Sequence, residues 1–241
     1  MDDNESGELS RLLHVGITFN LKKGKREERN RLSAGPEPAA PDAEAEYDDI
    51  STVMAIKEAL ESRNCRVTLL EADEGLPLKL AEDKPDIVFN IAEGIQGRGR
   101  EAQVPALLDF YRIPYTGSDE TTLCISLDKA LTKRFVSTYG IRTPKYDVIS
   151  GKQYRLAGRF HFPVIVKPNA EGSSKGISDA AVAKNRKELQ ELVSKNINLY
   201  RQDMLVEEYI SGREFTVGIF GNGEDIHVFP PMEIRWINNG N

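Results

Sequence analysis

No run of about 18 apolar residues occurs in the 241-residue sequence, so a spanning helix is excluded. The first eleven residues, Met1 to Arg11, are acidic and carry no apolar h-region, so no secretory signal is read there. Cysteine is nearly missing. Cys65 and Cys124 cannot build a disulfide framework, and two lone thiols fit a reduced, cytoplasmic compartment. The three histidines, His14, His161 and His227, have no HExxH or CxxC company and read as structural or exposed rather than as zinc ligands. A G-x-x-x-x-G-K-[ST] motif is absent, which excludes a Walker-type NTPase. So is the G-x-S-x-G elbow, which argues against a serine hydrolase. Nor is there an excess of positive charge: 32 Lys plus Arg face 38 Asp plus Glu, a net charge of −6, which argues against nonspecific nucleic-acid binding.

What is present is a soluble globular composition, with 39% hydrophobic and 29% charged residues. Leu12 to Phe19 reads as a buried strand. Lys22 to Tyr47 reads as a long inserted loop, basic at first, then proline-bearing and acidic. Its basic run is interrupted by Glu27 and Glu28 and fits a solvated loop better than an anion site. A helix is predicted over Ser51 to Ser62, with Val53, Ile56 and Leu60 inward. Strands are predicted at Val67 to Leu70, Asp86 to Asn90 and Ile113 to Tyr115, with helices at Leu76 to Lys84 and Glu101 to Tyr111. This alternation predicts a parallel sheet with crossover helices. Beyond Gly117-Ser118 the rhythm changes. Helices are expected at Glu120 to Ile125 and Asp128 to Tyr139, the second with an apolar stripe of Leu127, Leu131 and Phe135. Strands are expected at Lys145 to Ile149, Phe162 to Lys167, Met204 to Glu208, Glu214 to Phe220 and Ile226 to Phe229, with a helix at Lys184 to Asn196.

One motif misleads. Gly97-Arg98-Gly99-Arg100-Glu101-Ala102 matches G-x-G-x-x-A, but six residues separate it from the preceding strand, and it is not in the first βα unit. A dinucleotide turn begins directly after its strand, in that first unit. A stronger signal is Lys167 at the end of a strand, followed at once by Pro168-Asn169-Ala170-Glu171-Gly172-Ser173-Ser174-Lys175-Gly176. Gly172 and Gly176 let backbone N–H groups approach an anion, and two hydroxyls and a lysine add donors. The arrangement suits a phosphate cover, although a plain surface loop could look the same. Farther on, Val206-Glu207-Glu208-Tyr209-Ile210 runs into Ser211-Gly212-Arg213-Glu214. A strand ending in carboxylates, with a linker after it offering backbone groups, suits an adenine edge. Lys129 sits in the first turn of its helix against the dipole preference, which hints at an anionic ligand.

Taken in order, these features resemble the ATP-grasp superfamily and, within it, the D-alanine–D-alanine ligase family. The residues carrying the resemblance are Gly94 to Ala106, Ile113-Pro114-Tyr115-Thr116-Gly117-Ser118, Asp128-Lys129, Val166-Lys167-Pro168, Glu171-Gly172-Ser173-Ser174-x-Gly176 and Glu207-Glu208-x-x-x-Gly212-x-Glu214-Phe215-Thr216. The resemblance implies an α/β fold: an N-terminal α/β domain over residues 1–118 containing the loop 22–47, a central ATP-grasp lid over 119–206, and the start of a third part over 207–241. It implies that Lys129 and Lys167 hold the α- and β-phosphates of ATP, with Gly172, Ser173, Ser174 and Gly176 in the flap over the γ-phosphate. It further implies that Glu207 accepts from the adenine amino group, that Glu208, Tyr209 and Ile210 adjoin the base, and that Glu214 binds the ribose. Glu46 lies near the family glutamate that receives the first substrate's ammonium. The implied reaction joins two D-amino acids through an acyl phosphate for peptidoglycan precursor synthesis, with ATP and Mg²⁺, and the implied assembly is a homodimer.

Two departures qualify these implications. Glu93-Gly94 stands where the family has His-Gly beside the substrate, which leaves the acceptor open. The expected Mg²⁺ ligands and a transition-state arginine would lie beyond residue 241, so the third part is expected to be incomplete and this chain inactive by itself. The alternatives are an ATP-binding protein without ligase activity and a ligase for a different amino acid or carboxylate.

Overall fold

The computed structural model describes residues 11–22, 42, 44–151, 161–172 and 181–235. Ser173, Ser174, Gly176 and most of the expected loop 22–47 lie outside the described residues.

The first strand, β1 (His14–Phe19), is buried at all six positions. It is the middle of a three-stranded parallel sheet, between β2 (Arg66–Glu71) and β3 (Ile87–Asn90). A central parallel strand is covered on both faces, so its sequence is nearly continuously apolar. Crossovers are made by α1 (Ile50–Glu61), capped by the Asp49 side chain, and α2 (Leu76–Glu82). Val53 packs with Ile17 and Phe19 on one face, with Ile56 and Leu60 beside them, which is the face expected from their spacing. On the other face, Leu70, Leu80 and Val88 meet Val104 and Leu108 of α3 (Gln103–Phe110). A short 3-10 turn, Arg100–Ala102, precedes α3.

The strand expected at Ile113 to Tyr115 is a single parallel bridge between Val88 and Tyr115. Val88 N–H donates to the Pro114 carbonyl at 2.8 Å, but Pro114 has no N–H to extend the ladder one way. In the other direction, Asn90 N–H donates to the Thr116 hydroxyl at 3.1 Å instead of to backbone.

Two helices come next, α4 (Glu120–Leu127) and α5 (Lys129–Thr138), joined at Asp128, whose carboxylate accepts from Leu131 N–H at 2.9 Å. The expected apolar stripe holds only in part. Leu127 is buried, but Phe135 is 49% exposed and meets the Tyr139 ring at a tilt of 58°, because α5 packs through its first turn at Ala130. The second sheet is antiparallel, in the order β4 (Tyr146–Ile149), β7 (Met204–Glu208), β5 (Val164–Pro168), β6 (Val182–Ala183). Helix α6 (Arg186–Tyr200) lays Leu189 and Val193 on Val164, Val166, Met204 and Val206. The stretch expected as one strand, Glu214 to Phe220, is two: β8 (Glu214–Thr216) pairs with β11 (Met232–Ile234), and β9 (Ile219–Phe220) pairs with β10 (His227–Val228). Gly218 interrupts it, with its backbone against the Phe229 ring.

Asn169, just past β5, connects sheet and helix. Its carbonyl accepts from Lys129 N–H at 2.9 Å, and its buried side-chain oxygen accepts from Ala130 N–H at 3.1 Å. Two otherwise orphaned donors of the α5 N-terminus are thereby satisfied from another element. We expect Asn169→Ala to destabilise the fold by about 1–2 kcal/mol, and Asn169→Asp, which keeps the acceptor, to retain most of that. Urea denaturation of the two variants would check this, and equal losses would refute the capping role.

Candidate active site

Three lysines and one carboxylate form the first half of the site. Lys167 lies near the end of β5, with Ile165 paired to Glu207 across the β5–β7 ladder. Lys167 Nζ pairs with Glu207 Oε1, and Lys133 Nζ pairs with Glu207 Oε2 at 2.6 Å. Lys133 stands one helical turn beyond Lys129 on α5, its ammonium 5.4 Å from the Tyr146 ring centroid. Burial alone would raise the Glu207 carboxyl, but the hydrogen bonds and charges of Lys133 and Lys167 outweigh it and hold that carboxyl below its ordinary value. Lys129 shifts downward, first through burial and then through repulsion from Lys167. Its ammonium donates to the Glu171 carbonyl.

Arg100 organises the second half. It is 6% exposed, and its guanidinium reaches Glu46 at 2.6 Å, Glu171 at 3.4 Å and Glu101 at 3.9 Å, while also donating to the Ala170 carbonyl at 3.2 Å. Glu46 packs so closely on Gly172 that a Cβ there would stand 2.4 Å from its carboxylate, so any side chain there would push Glu46 out of place. Gly94 is constrained as strongly: φ is +76°, and a Cβ would meet the Arg100 carbonyl at 2.0 Å. Its N–H and that of Glu93 both donate to the Asn20 side chain, at 3.0 and 2.9 Å. Carboxylate oxygens of Glu46, Glu93 and Glu101 lie within 4.8 Å of one another. Burial raises the Glu101 carboxyl; Arg100 opposes that, and Glu46 adds to it.

Glu171 couples the halves, giving its carbonyl to Lys129 and its carboxylate to Gln202 at 2.8 Å, with Arg100 beside it. A cavity of about 580 Å³ opens here, with Arg98, Arg100, Glu171 and Tyr200 in its wall. Arg98 crosses to the buried Asp128 at 2.8 Å, which joins the glycine turn 97–99 to the start of α5.

The structure therefore brings Lys167 to Glu207, with Lys129 near Lys167 and on the Glu171 carbonyl, and separately brings Glu46 to Gly172. Glu208 points away from that lysine group toward Lys145, at 3.6 Å. Tyr209 and Ile210 are exposed, and the Tyr209 N–H donates to the Pro163 carbonyl at 3.1 Å. Glu214 is exposed on β8, paired in register with Ile234. Ser173, Ser174 and Gly176 fall outside the described residues. Sequence reasoning missed Arg98, Arg100 and Lys133. The arginines sit inside the motif that mimics a dinucleotide turn, and their alternation with glycine was the available signal.

Residues 135–239 match the family described as the D-ala D-ala ligase C-terminus. A D-alanine–D-alanine ligase from Aquifex aeolicus is 37% identical over 182 residues, covering 74% of this chain and 60% of that protein. Residues 135–239 thus resemble the C-terminal part of D-alanine–D-alanine ligases, and the similarity to such ligases extends over most of this chain. An uncharacterized protein of Sinorhizobium fredii is 34% identical over 208 residues, covering 83% of this chain and 59% of that protein. The chain thus spans about 60% of the length of these curated relatives. Among solved structures, the family's Bacillus anthracis enzyme complexed with ATP superposes with a TM-score of 0.64 at 18% identity, covering 94% of this chain and 67% of that one. The Helicobacter pylori enzyme gives 0.65 at 22%, covering 95% and 77%. The fold is the mixed α/β ATP-grasp architecture expected from the sequence.

The charges set two expectations. Arg100→Leu strips the guanidinium from buried carboxylates and should cost about 3–5 kcal/mol, with Arg100→Leu/Glu46→Gln recovering part of it in urea denaturation. Glu207 has a depressed folded-state carboxyl, so the stability it contributes is present above its ordinary value of 4.5 and is lost as pH falls through the lower folded value. The stability advantage of the natural chain over Glu207→Gln should therefore shrink between about pH 5 and pH 3. A constant difference across that window would contradict the ion pairs.

Proposed function

We propose that this chain carries the nucleotide cradle of an ATP-dependent carboxylate–amine ligase joining two D-amino acids for peptidoglycan precursors. The observation that supports it most is the meeting of Lys133 and Lys167 on the single carboxylate Glu207, with Lys129 close enough to Lys167 to be repelled by it. The three ammoniums leave an excess of positive charge in a half-buried cleft, which suits a polyphosphate. Lys129 and Lys167 hold the α- and β-phosphates. Gly172, Ser173, Ser174 and Gly176 close over the γ-phosphate. Glu207 accepts from the adenine amino group, Tyr209 and Ile210 border the base with Glu208 nearby, and Glu214 takes the ribose. Glu46 receives the ammonium of the first amino acid.

In the proposed reaction the first substrate's carboxylate takes the γ-phosphoryl group, releasing ADP. The amine of the second then displaces phosphate to form the amide. Lysine charge stabilises the phosphoryl transfer, and the closed flap keeps water from the acyl phosphate. Mg²⁺ would neutralise phosphate charge. Glu233, the acid on β11, is held by Arg213 and Arg235 at 2.8 and 2.9 Å, so it does not suit a metal. We assign residues 1–118, 119–206 and 207–241 to the N-terminal domain, the lid and the start of the third part, in a cytoplasmic homodimer. No described helix is long and apolar enough to cross a membrane. A second reading, a ligase for a different amino acid, is favoured by Glu93, an acid standing beside Glu46 where the family has histidine.

Lys167→Ala should weaken ATP binding by about tenfold or more in calorimetry; an unchanged affinity would refute its role. Phosphate release from ATP, surveyed across D-amino acids with the full-length protein, would identify the substrates. Release with none of them would count against the ligase reading.

A further inference from the structure

The lysine that sequence reasoning missed has a task of its own. Glu207 is contacted by two ammoniums, one on each oxygen: Lys167 from β5 and Lys133 from α5. All three side chains are largely buried, at 7% exposure for Glu207, 11% for Lys133 and 22% for Lys167. One carboxylate needs only one counterion to stay charged in a buried place, so the second lysine is surplus to stability. Lys167 is also the more exposed of the two, at the strand end that leads directly to Gly172. Lys133 is enclosed, its ammonium lying over the Tyr146 ring and on Glu207 at 2.6 Å.

We propose that Lys133 is the resident counterion of Glu207, and that it frees Lys167 to leave Glu207 for the phosphates when ATP binds. Resting on the nucleotide reading above, this makes Lys133 a positioning residue that does not touch the phosphates. Without Lys133, withdrawal of Lys167 would leave a buried carboxylate bare, and that penalty would be subtracted from the binding of ATP. With Glu207 neutral, no counterion is needed and Lys133 becomes dispensable. The dependence on Lys133 is therefore conditional on the charge of Glu207, which neither a direct phosphate ligand nor a packing residue would be.

The test is a double-mutant cycle read by calorimetry with ATP, using the full chain. Lys133→Met should weaken ATP binding by about tenfold or more, whereas Lys133→Arg, which keeps the charge, should stay within about threefold. In the Glu207→Gln background, adding Lys133→Met should change the affinity by less than about threefold. Lys133→Gln replaces Lys133→Met in the same cycle if the methionine variant does not fold. Equal losses in both backgrounds would overturn the proposal and make Lys133 a direct ligand or a packing residue. An unchanged affinity in Lys133→Met would also overturn it while leaving the nucleotide reading intact. Failure of the natural chain to bind ATP would overturn both.

Discussion

A buried guanidinium surrounded by carboxylates is the constraint on which the site depends. Arg100 cannot be neutralised by losing its proton, so burying it requires acids. The acids it holds come from three places in the chain: Glu46 at the return of the inserted loop, Glu101 in its own turn, and Glu171 after β5. Satisfying one charge therefore fixes the relative position of segments far apart in sequence. It also explains the close approach of two glycines nearby. Gly94 passes under the Arg100 carbonyl and Gly172 passes under the Glu46 carboxylate, because those groups have already been placed.

The result is a polarised cleft. On one side acids outnumber Arg100; on the other Lys129, Lys133 and Lys167 outnumber Glu207. Glu171 stands between, with its carbonyl turned to one side and its carboxylate to the other. In the proposed reaction an ammonium is received on the first side and phosphates on the second. The loop that supplies Glu46 is anchored again at Asp42, which accepts from the Tyr200 hydroxyl at 2.8 Å, and at Asp48, whose N–H donates to the Asn20 carbonyl at 2.7 Å.

Much of this is legible in the sequence where a residue's role comes from its place in an element. Lys167 and Glu207 stand near strand ends, and apolar runs mark those strands; Lys129 stands directly after an N-cap aspartate. The parallel sheet is legible because its middle strand is apolar throughout. Lys133 is not, since a lysine on a polar helix face looks like any solvated one until the neighbouring sheet is in place. Arg100 is hidden by a motif whose glycines serve a different turn. Phe135 reads as inward because spacing gives the direction of a stripe but not whether another element covers it. At Ile113 to Tyr115 the apolar run is real, but Pro114 limits pairing to one bridge, a chemical limit that hydrophobicity does not register. The loop expected at Ser173, Ser174 and Gly176 lies outside the described residues.

Asn169 has a mechanical consequence. By holding the first two N–H groups of α5 from the end of β5, it makes the strand that carries Lys167 and the helix that carries Lys129 and Lys133 move as one piece. The spacing of the backbone positions that carry the three lysines is then a property of that piece alone, and a lysine side chain that changes partner does so from a fixed base. Whatever opening or closing the cleft undergoes must take place at its other walls, around a backbone frame that keeps its shape.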